Sequence, residues 1–564
     1  MSSGVRTTRR TVLGGALGGA LAGSVGLGAG SAEAGTRPRQ PFAHGVASGD
    51  PLPRSVVIWT RVTPSTAATP GSGRGPAVTV TWAVAEDPGF RRVVARGRTR
   101  TSAARDHTVH VDVKRLRPGT EYWYRFGLGR RTSRVGRTRT APATRSNAPV
   151  RFGFASCANY DQGWFTPYRF LAAQRLDAVL HLGDYLYEYA PGPIFGSFPK
   201  GPRRSQPDAE CTTLAQYRQR HACYRGDADL QAMHAAHPVI AIWDDHEVAN
   251  DTWRDGAENH QGGEGTWAAR SAAGRRAFLE WLPVRRNPRW HPFRIHRRFR
   301  FGRQVDLWML DERRFRTKPP RSAFLGYGSL DPSTGAASAS MLGDAQEAWL
   351  VRGLRRSTAR WKVLGNQVPF FPQAIGGHVP GQIARLLGPR VADTLARPLA
   401  ELYVEDWNGF RRQRQRLVDA MTGVDDVVVL TGDVHQSYAS EIPRRPEDYL
   451  LDRRSVAVEF VTPGVASPSV QAIAEQVAPG AGRTVDAVLS TNNAVANPWI
   501  RWAEGLRTGC VVVDLDGERA QADWFLASSS QRRDAKMSRS ASWQTRAGSS
   551  RLSRAPRPLP GIEL

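Results

Sequence analysis

The sequence is poor in cysteine and, among its basic residues, in lysine. Its 564 residues include four Cys, and a chain of this length buries enough apolar surface to fold without a disulfide framework, which excludes a small cysteine-stapled scaffold. Only five of the 78 basic residues are Lys, so the formal net charge of +27 comes almost entirely from Arg. No RGG array, zinc-finger spacing or basic zipper accompanies this charge. It therefore favours an anionic substrate or a cell-envelope surface over a specific nucleic-acid partner.

Long hydrophobic runs are absent after the N-terminal segment. No later stretch reaches about 18 apolar residues, so we expect no transmembrane segment in the mature chain. Residues 1–34 place Arg9 and Arg10 before a Gly- and Ala-rich apolar run and end at Ala32-Glu33-Ala34. This order is typical of a cleaved twin-arginine signal peptide; a membrane anchor is the alternative. We predict export by the twin-arginine translocase and a secreted or cell-wall-associated protein that begins near Gly35.

The rest of the chain shows three patterns. Residues 40–146 contain β-branched runs with period-two alternation, which predicts an N-terminal immunoglobulin- or fibronectin-like β-sandwich. Residues 148–527 alternate short apolar strands with helical stretches, a pattern typical of a sheet buried on both faces by helices. Residues 528–564 are rich in Ser, Arg and Pro, with eight basic and two acidic residues, and predict a basic flexible tail.

Four of the apolar strands end in clusters of possible metal ligands. In layered α/β proteins, sites lie beyond strand ends. Consecutive acids such as Asp244 and Asp245 are costly after a buried strand unless a cation neutralises them. Taken singly, a Cys can be a small buried residue, a Gly-Asp can form a turn or helix cap, and an Asp-x-His can be a hydrogen-bonded pair. Four such clusters, each directly after an apolar strand, indicate a metal site instead. The clusters are residues 155–160, 180–189, 243–251 and 430–437.

The clusters belong to longer motifs that resemble one family. The motifs are FAHGVASGDP at 42–51, FASC at 154–157, HLGDYLYEY at 181–189, WDDHEVAND at 243–251, LDERRFR at 310–316 and TGDVH at 431–435. In this order they are similar to the PhoD family of secreted alkaline phosphatases and phosphodiesterases. The resemblance runs from about residue 42 to residue 526. It implies an α+β protein in which the β-sandwich is followed by a layered αββα metallophosphoesterase domain like that of purple acid phosphatases.

The resemblance also implies an Fe(III) and Ca(II) site and assigns its ligands. The metal ligands would be Cys157, Asp184, Tyr187, Asp245, Asp433 and His435. Thiolate and phenolate suit a hard, highly charged ion, and carboxylate oxygens suit Ca(II). How Asp433 and His435 divide between the ions stays open. His246 resembles the histidine that steadies the phosphoryl transition state or protonates the leaving group.

The arginines of the LDERRFR motif are candidates for binding phosphate oxygens. A guanidinium group matches those oxygens bidentately, and Arg313, Arg314 and Arg316 are the candidates. We assign the catalytic role to Arg314, although the sequence alone does not show which of the three points into the site.

Two local features bear on the site and its surroundings. Many relatives read N-P-H where this chain has Asn497-Pro498-Trp499, so a histidine contributed there is missing. Cys211 and Cys223 lie twelve residues apart, and in an exported protein a disulfide and two free thiols are both open.

The predicted function is a secreted hydrolase of phosphate esters that uses metal-activated water. The motifs do not separate monoesters from diesters such as phospholipids or teichoic acids, because both activities share the metal core. A protein that binds anionic envelope polymers without turnover is the alternative from another class. The complete ligand set argues against it.

Overall fold

The computed structural model describes residues 40–192, 201–286, 291–319, 338–373, 405–477 and 479–564. The predicted signal peptide, residues 1–34, lies outside these ranges. Residues from Arg37 to Leu564 form one unit. Within the described ranges, no helix combines the length and the apolar character that a membrane span needs.

The strands and helices follow one another along the whole chain. The strands are β1 (Val46–Leu52), β2 (Ser55–Arg61), β3 (Val78–Ala85), β4 (Val93–Thr101), β5 (Thr108–Lys114), β6 (Glu121–Leu128), β7 (Arg131–Thr132), β8 (Gly136–Arg139), β9 (Val150–Ala155), β10 (Ala178–His181), β11 (Pro238–Ala241), β12 (Arg297–Phe301), β13 (Val305–Met309), β14 (Trp361–Gly365), β15 (Val427–Thr431), β16 (Ser437–Pro443), β17 (Ser455–Val461), β18 (Ile500–Glu504), β19 (Gly509–Leu515), β20 (Arg519–Ala527), β21 (Met537–Arg546) and β22 (Ser553–Arg554). The helices are α1 (Thr166–Ala173), α2 (Leu214–Arg225), α3 (Ala228–Ala236), α4 (Trp267–Trp281), α5 (Gly343–Arg356), α6 (Arg411–Met421), α7 (Tyr449–Asp452), α8 (Val470–Val477) and α9 (Ala481–Ala496).

Two large sheets face each other at the centre of the fold. The first has the order β22-β21-β20-β19-β9-β10-β11-β1-β2-β5, and the second has the order β12-β13-β14-β15-β17-β16-β18. On β9, Phe152 contacts Phe301 of the second sheet, with ring centroids 5.0 Å apart. The next residue, Gly153, faces Leu171 of α1 on the other side. Because successive side chains point to opposite faces of a strand, β9 is buried between the second sheet and a helix.

The second sheet is buried in the same way. Val363 of β14 belongs to the core between the two sheets. Its neighbour Leu364 packs on the outer side with Leu350 of α5 and Leu417 of α6. The layers therefore run helix, sheet, sheet, helix, and the α+β fold with an αββα body is confirmed.

A smaller sheet completes a β-sandwich near the N-terminus. Its order is β4-β3-β6-β7, with β8 paired to β6. Val80 and Tyr124 of this sheet share a core with Val56 and Ile58 of β2. However, β1 also pairs in parallel with β11, with Ser48 opposite Pro238. One half of the sandwich is therefore a continuation of the first large sheet.

The prediction of a flexible tail over residues 528–564 is wrong. Strand β21 pairs antiparallel with β20 along its length, from Arg519 opposite Arg546 to Ala527 opposite Met537. Trp543 of β21 is buried in the central core. The amino-acid composition suggested a tail because a strand near a sheet edge exposes one of its faces to solvent. That exposed face is rich in Ser and Arg, the residues that are also common in solvated tails.

Candidate metal centre

The candidate ligands follow four strands, three in the first sheet and one in the second. Cys157 follows β9, Asp184 follows β10 and Asp245 follows β11, and these three strands are parallel neighbours in the first sheet. Asp433 follows β15 of the second sheet. Because the carboxyl ends of neighbouring parallel strands lie at one edge of a sheet, the topology brings the first three side chains together. A carboxylate oxygen of Asp433, from the second sheet, lies within 4.8 Å of one of Asp245.

The side chains form three adjoining groups that could hold metal ions. In each group, one ligand atom of every member lies within 4.8 Å of the others. The groups are Cys157, Asp184 and His435; Asp184, Asp245 and His246; and Asp244, Asp245 and Asp433. Asp184 belongs to the first two groups and Asp245 to the last two. This sharing is the arrangement that a carboxylate bridging two cations requires.

The backbone is strained at four of the predicted ligands. Cys157, Asp184, Asp433 and His435 have φ values of 59°, 53°, 69° and 55°. L-residues rarely adopt this left-handed region, and such strain persists only where the surrounding structure holds it. The Ala158 N–H, for example, donates to the Asp184 carbonyl at 2.9 Å. The strain coincides with the candidate ligands, as it does at many functional sites.

Tyr187 joins the first group through its phenol. The hydroxyl donates to Asp184 Oδ2 at 3.1 Å and lies 3.0 Å from His435 Nε2. Ser467 Oγ in turn donates to the phenol oxygen at 2.8 Å. Sequence reasoning missed Ser467, because it follows β17 in a segment without a recognised motif.

The site is rich in buried acids whose charge the protein only partly compensates. Asp184 Oδ1 and Asp244 Oδ2 are buried without a hydrogen-bond partner in the described structure. Burial raises the pKa of Asp184, of the Cys157 thiol and of the Tyr187 phenol well above their usual values. A bound cation reverses such shifts, because it stabilises carboxylate, thiolate and phenolate. The donor set therefore fits a metal centre.

Arg313 is the arginine that reaches the acids. Its side chain is 1% exposed and forms an ion pair with Asp244. Nη2 lies 3.0 Å from Asp433 Oδ1 and 3.5 Å from Asp245 Oδ1. The guanidinium thus sits against the third group and neutralises part of its charge.

The structure corrects the choice of Arg314. Its side chain points away from the carboxylates, with Nη2 3.0 Å from His291 Nδ1. Its guanidinium lies 4.9 Å from the centre of the Phe315 ring. Arg316 pairs instead with Glu405 at 2.7 Å. Neighbouring side chains in the irregular segment after β13 thus point in different directions, and only Arg313 contacts the predicted ligands.

His246 is held in the second group by Glu188. The His246 Nδ1 lies 2.7 Å from Glu188 Oε2. Glu188 Oε1 accepts hydrogen bonds from the Asn250 N–H at 2.7 Å and from Asn259 Nδ2 at 2.8 Å. Burial lowers the pKa of His246, but the carboxylates of Asp245 and Glu188 outweigh it, and the pKa lies well above the usual value. Glu188 therefore holds the imidazole in place beside Asp184 and Asp245. Sequence reasoning included Glu188 in a motif but gave it no role.

Two further sequence features are settled by the structure. Trp499, at the position where the family resemblance predicts a histidine, is buried, and its Nε1 donates to the Pro372 carbonyl at 2.7 Å. It belongs to the core outside the second sheet.

Cys211 and Cys223 are both free thiols. Of the two alternatives for this pair, the structure therefore has two free thiols and no disulfide.

The layered fold and the three ligand groups define an αββα protein with a candidate metal centre. Comparison with protein families then identifies its relatives. The family described as PhoD-like phosphatase matches residues 152–524, and the PhoD-like phosphatase N-terminal domain matches residues 28–142. The chain belongs to the PhoD-like phosphatase family.

Individual relatives agree with this assignment. Alkaline phosphatase D of Bacillus subtilis (strain 168) is 38% identical over 412 residues, which span 71% of this chain and 66% of that protein. The chain thus aligns with just under two thirds of that relative's length. A solved structure described as "Structure of PhoD" is 32% identical, with a TM-score of 0.76 over 93% of this chain and 94% of that one. The likeness to the solved structure therefore covers the β-sandwich as well as the αββα body.

Proposed function

We propose that this chain is a metal-dependent hydrolase of phosphate esters. The observation that carries the proposal is the position of Asp184, whose carboxylate is shared by two adjoining ligand groups. A carboxylate between two cations is typical of two-metal sites that act on phosphate esters. Membership of the PhoD-like phosphatase family and similarity to an alkaline phosphatase D support the same activity.

We propose Fe(III) and Ca(II) as the ions. Cys157, Asp184 and Tyr187 would hold Fe(III), because thiolate and phenolate are strong anionic donors. The carboxylates of Asp245 and Asp433 would hold Ca(II), which prefers oxygen ligands. When bound, the ions supply Lewis acidity toward phosphoryl oxygens and increase the acidity of water.

The protein's own side chains would then bind the ester and supply a proton. Arg313, which lies against the third ligand group, would bind a phosphate oxygen through its guanidinium. His246, oriented by Glu188, would in its protonated form give a proton to the leaving-group oxygen as the P–O bond breaks. The burial of both side chains excludes water from the groups that hold the ester.

Metal analysis combined with an ester panel tests the proposal. We expect purified protein to contain iron and calcium and to hydrolyse p-nitrophenyl phosphate or bis-p-nitrophenyl phosphate. Rates on these two esters and on phosphatidylcholine distinguish a phosphomonoesterase from a phospholipase D-like or teichoic-acid-type diesterase with the same site. Bound metal with no turnover of any ester would support the binding-protein alternative. Absence of both iron and hydrolysis would overturn the proposal.

Glu188→Gln is expected to lower kcat about 10- to 100-fold, because partners that orient site residues have effects of this size. Loss of the carboxylate also lowers the pKa of His246, so the alkaline limb of the kcat profile should move to lower pH. The profile of kcat against pH, with metal content as a check of site integrity, measures this. Glu518→Gln, at an exposed position, is the control. An unchanged profile in the Glu188 variant would show that Glu188 does not position His246.

We also propose that the chain is exported by the twin-arginine translocase and acts outside the cytoplasm. The order of Arg9 and Arg10, apolar run and Ala32-Glu33-Ala34 supports this, because it is the order that such signals share.

A further inference from the structure

The smaller sheet exposes a row of arginines on its outer face. Strand β4 lies at the edge of this sheet. Arg96, Arg98 and Arg100 of β4 are exposed, whereas Gly97 and Thr99 between them are half-buried. Alternate residues of a strand share one face and are about 6.6 Å apart along it. The three arginines therefore follow one another along one face of the strand.

Small side chains separate this row from a fourth arginine. In the strand register, Arg98 is opposite Thr81 of β3, and Thr81 is opposite Gly127 of β6. Two residues further along β3, on the same face, Ala83 is opposite Arg125 of β6. Since adjacent strands lie about 4.8 Å apart, β4 and β6 form two sides of a channel about 10 Å wide. We call it the arginine trough, with sides Arg96, Arg98, Arg100 and Arg125 and floor Thr79, Thr81, Ala83 and Gly127.

The charge of the trough is not compensated by nearby acids. Glu86 is paired with Arg117, and Glu121 with Arg137 at 3.6 Å. No ion pair to the three β4 arginines is found among the residues that the structure describes. The guanidinium of Arg125 lies 4.1 Å from the centre of the Phe90 ring, which holds this side chain in place.

We propose that the arginine trough docks a linear phosphate polyanion of the inorganic polyphosphate type. Guanidinium groups bind phosphate bidentately, and a row of them favours a chain with regularly repeated phosphates. Membrane-binding surfaces combine such charge with inserted apolar side chains, and grooves for single-stranded nucleic acid combine it with rings on which bases stack. The floor of Thr79, Thr81, Ala83 and Gly127 offers neither. The proposal does not rest on the proposed hydrolase activity, because docking and turnover involve different residues.

The edge position of β4 gives the arginines a second explanation. Charged side chains on an edge strand discourage pairing with other chains. That role predicts aggregation when they are removed. It does not predict a loss of polyanion binding, so the two explanations have different outcomes.

A charge-matched pair of triple variants tests the docking. The test variant is Arg96→Gln/Arg98→Gln/Arg100→Gln; the control is Arg352→Gln/Arg355→Gln/Arg356→Gln on α5, which removes the same charge from exposed positions elsewhere. Binding of a fluorescent short-chain polyphosphate is followed by anisotropy at several salt concentrations, with phosphate release and p-nitrophenyl phosphate turnover measured in parallel. A thymidine oligonucleotide and anionic phosphatidylglycerol vesicles are the competing probes.

We expect the test variant to bind polyphosphate at least about tenfold more weakly than the wild type. The slope of the logarithm of its binding constant against the logarithm of the salt concentration should be shallower by about one for each arginine that contacts a phosphate. The control variant should bind as the wild type does, and both variants should keep the wild-type turnover of the small ester. Equal losses in the two triple variants would overturn the proposal in favour of a non-specific effect of net charge. Binding of the oligonucleotide or the vesicles in place of polyphosphate would also overturn it.

Discussion

Asp184→Asn is expected to remove metal-dependent activity while making the metal-free protein more stable. Asn tolerates the left-handed backbone at this position, where φ is 53°, so the fold should persist. The substitution takes a charged ligand from both groups that share Asp184. Because changes outside the ligand shell already cost 10- to 100-fold, we expect activity to fall by more than about 100-fold, with loss of bound metal.

The gain in stability without metal has a separate cause. Burial raises the pKa of Asp184, so the metal-free folded chain keeps a proton that the unfolded chain releases as the pH rises above about 4. Folding is therefore penalised increasingly as pH rises through this window. Asn carries no such penalty, and the free energy of unfolding without metal should increase by about 1–3 kcal/mol.

Thermal unfolding with and without metal, together with metal content and ester turnover, measures both effects. Added metal should raise the unfolding temperature of the wild type, by more the more tightly the metal binds. The same addition should raise that of the variant much less. Asp255→Asn, at an exposed side chain, is the control and should behave as the wild type does. Full activity and normal metal content in Asp184→Asn would contradict the assignment of Asp184 as a shared ligand.

Deletion of residues 537–564 is expected to prevent the protein from folding into a soluble form. The deletion removes β21 and β22 and exposes β20 as a new edge. That strand contains Trp524, Phe525 and Leu526, all buried in the complete chain. An apolar strand with unpaired backbone groups is a site of aggregation. A flexible tail, by contrast, could be removed without effect.

A single substitution keeps this prediction measurable if the truncated chain is insoluble. Trp543 of β21 is buried in the central core, so Trp543→Ala should lower the free energy of unfolding by about 3–5 kcal/mol. Arg546→Ala, at an exposed position of the same strand, should change it by less than about 0.5 kcal/mol. Denaturant unfolding of the two variants provides the comparison. Equal stability of the two would show that β21 contributes little to the fold.

The sequence predicted well those features that depend on short segments. Buried strands followed by polar clusters indicated where Cys157, Asp184, Asp245 and Asp433 would be found, and parallel pairing of their strands brings the first three together. Each strand and its cluster lie within about ten residues of one another. Local pattern was therefore sufficient for this part of the site.

The features that sequence reasoning missed depend on distant contacts. The orientation of Arg313 is set by Asp244 and Asp433, which lie far from it in the chain, and nothing local separates it from Arg314. Ser467 contacts Tyr187 across 280 positions. The pairing of β1 with β11 is equally remote. Residue type and spacing do not encode such contacts, because they depend on how the sheets pack.

The order of strands in the first sheet has a consequence for how the protein is made. β1 begins at Val46 and β21 ends at Arg546, and both are strands of this one sheet. While the ribosome is still adding the last residues, β20 has no partner on one side. The first sheet is therefore complete only when its last strands have been synthesised and have paired with β20. A late-closing sheet of this kind folds slowly and leaves apolar strands open in the meantime, so nascent chains should depend on chaperones more than those of a protein that folds domain by domain.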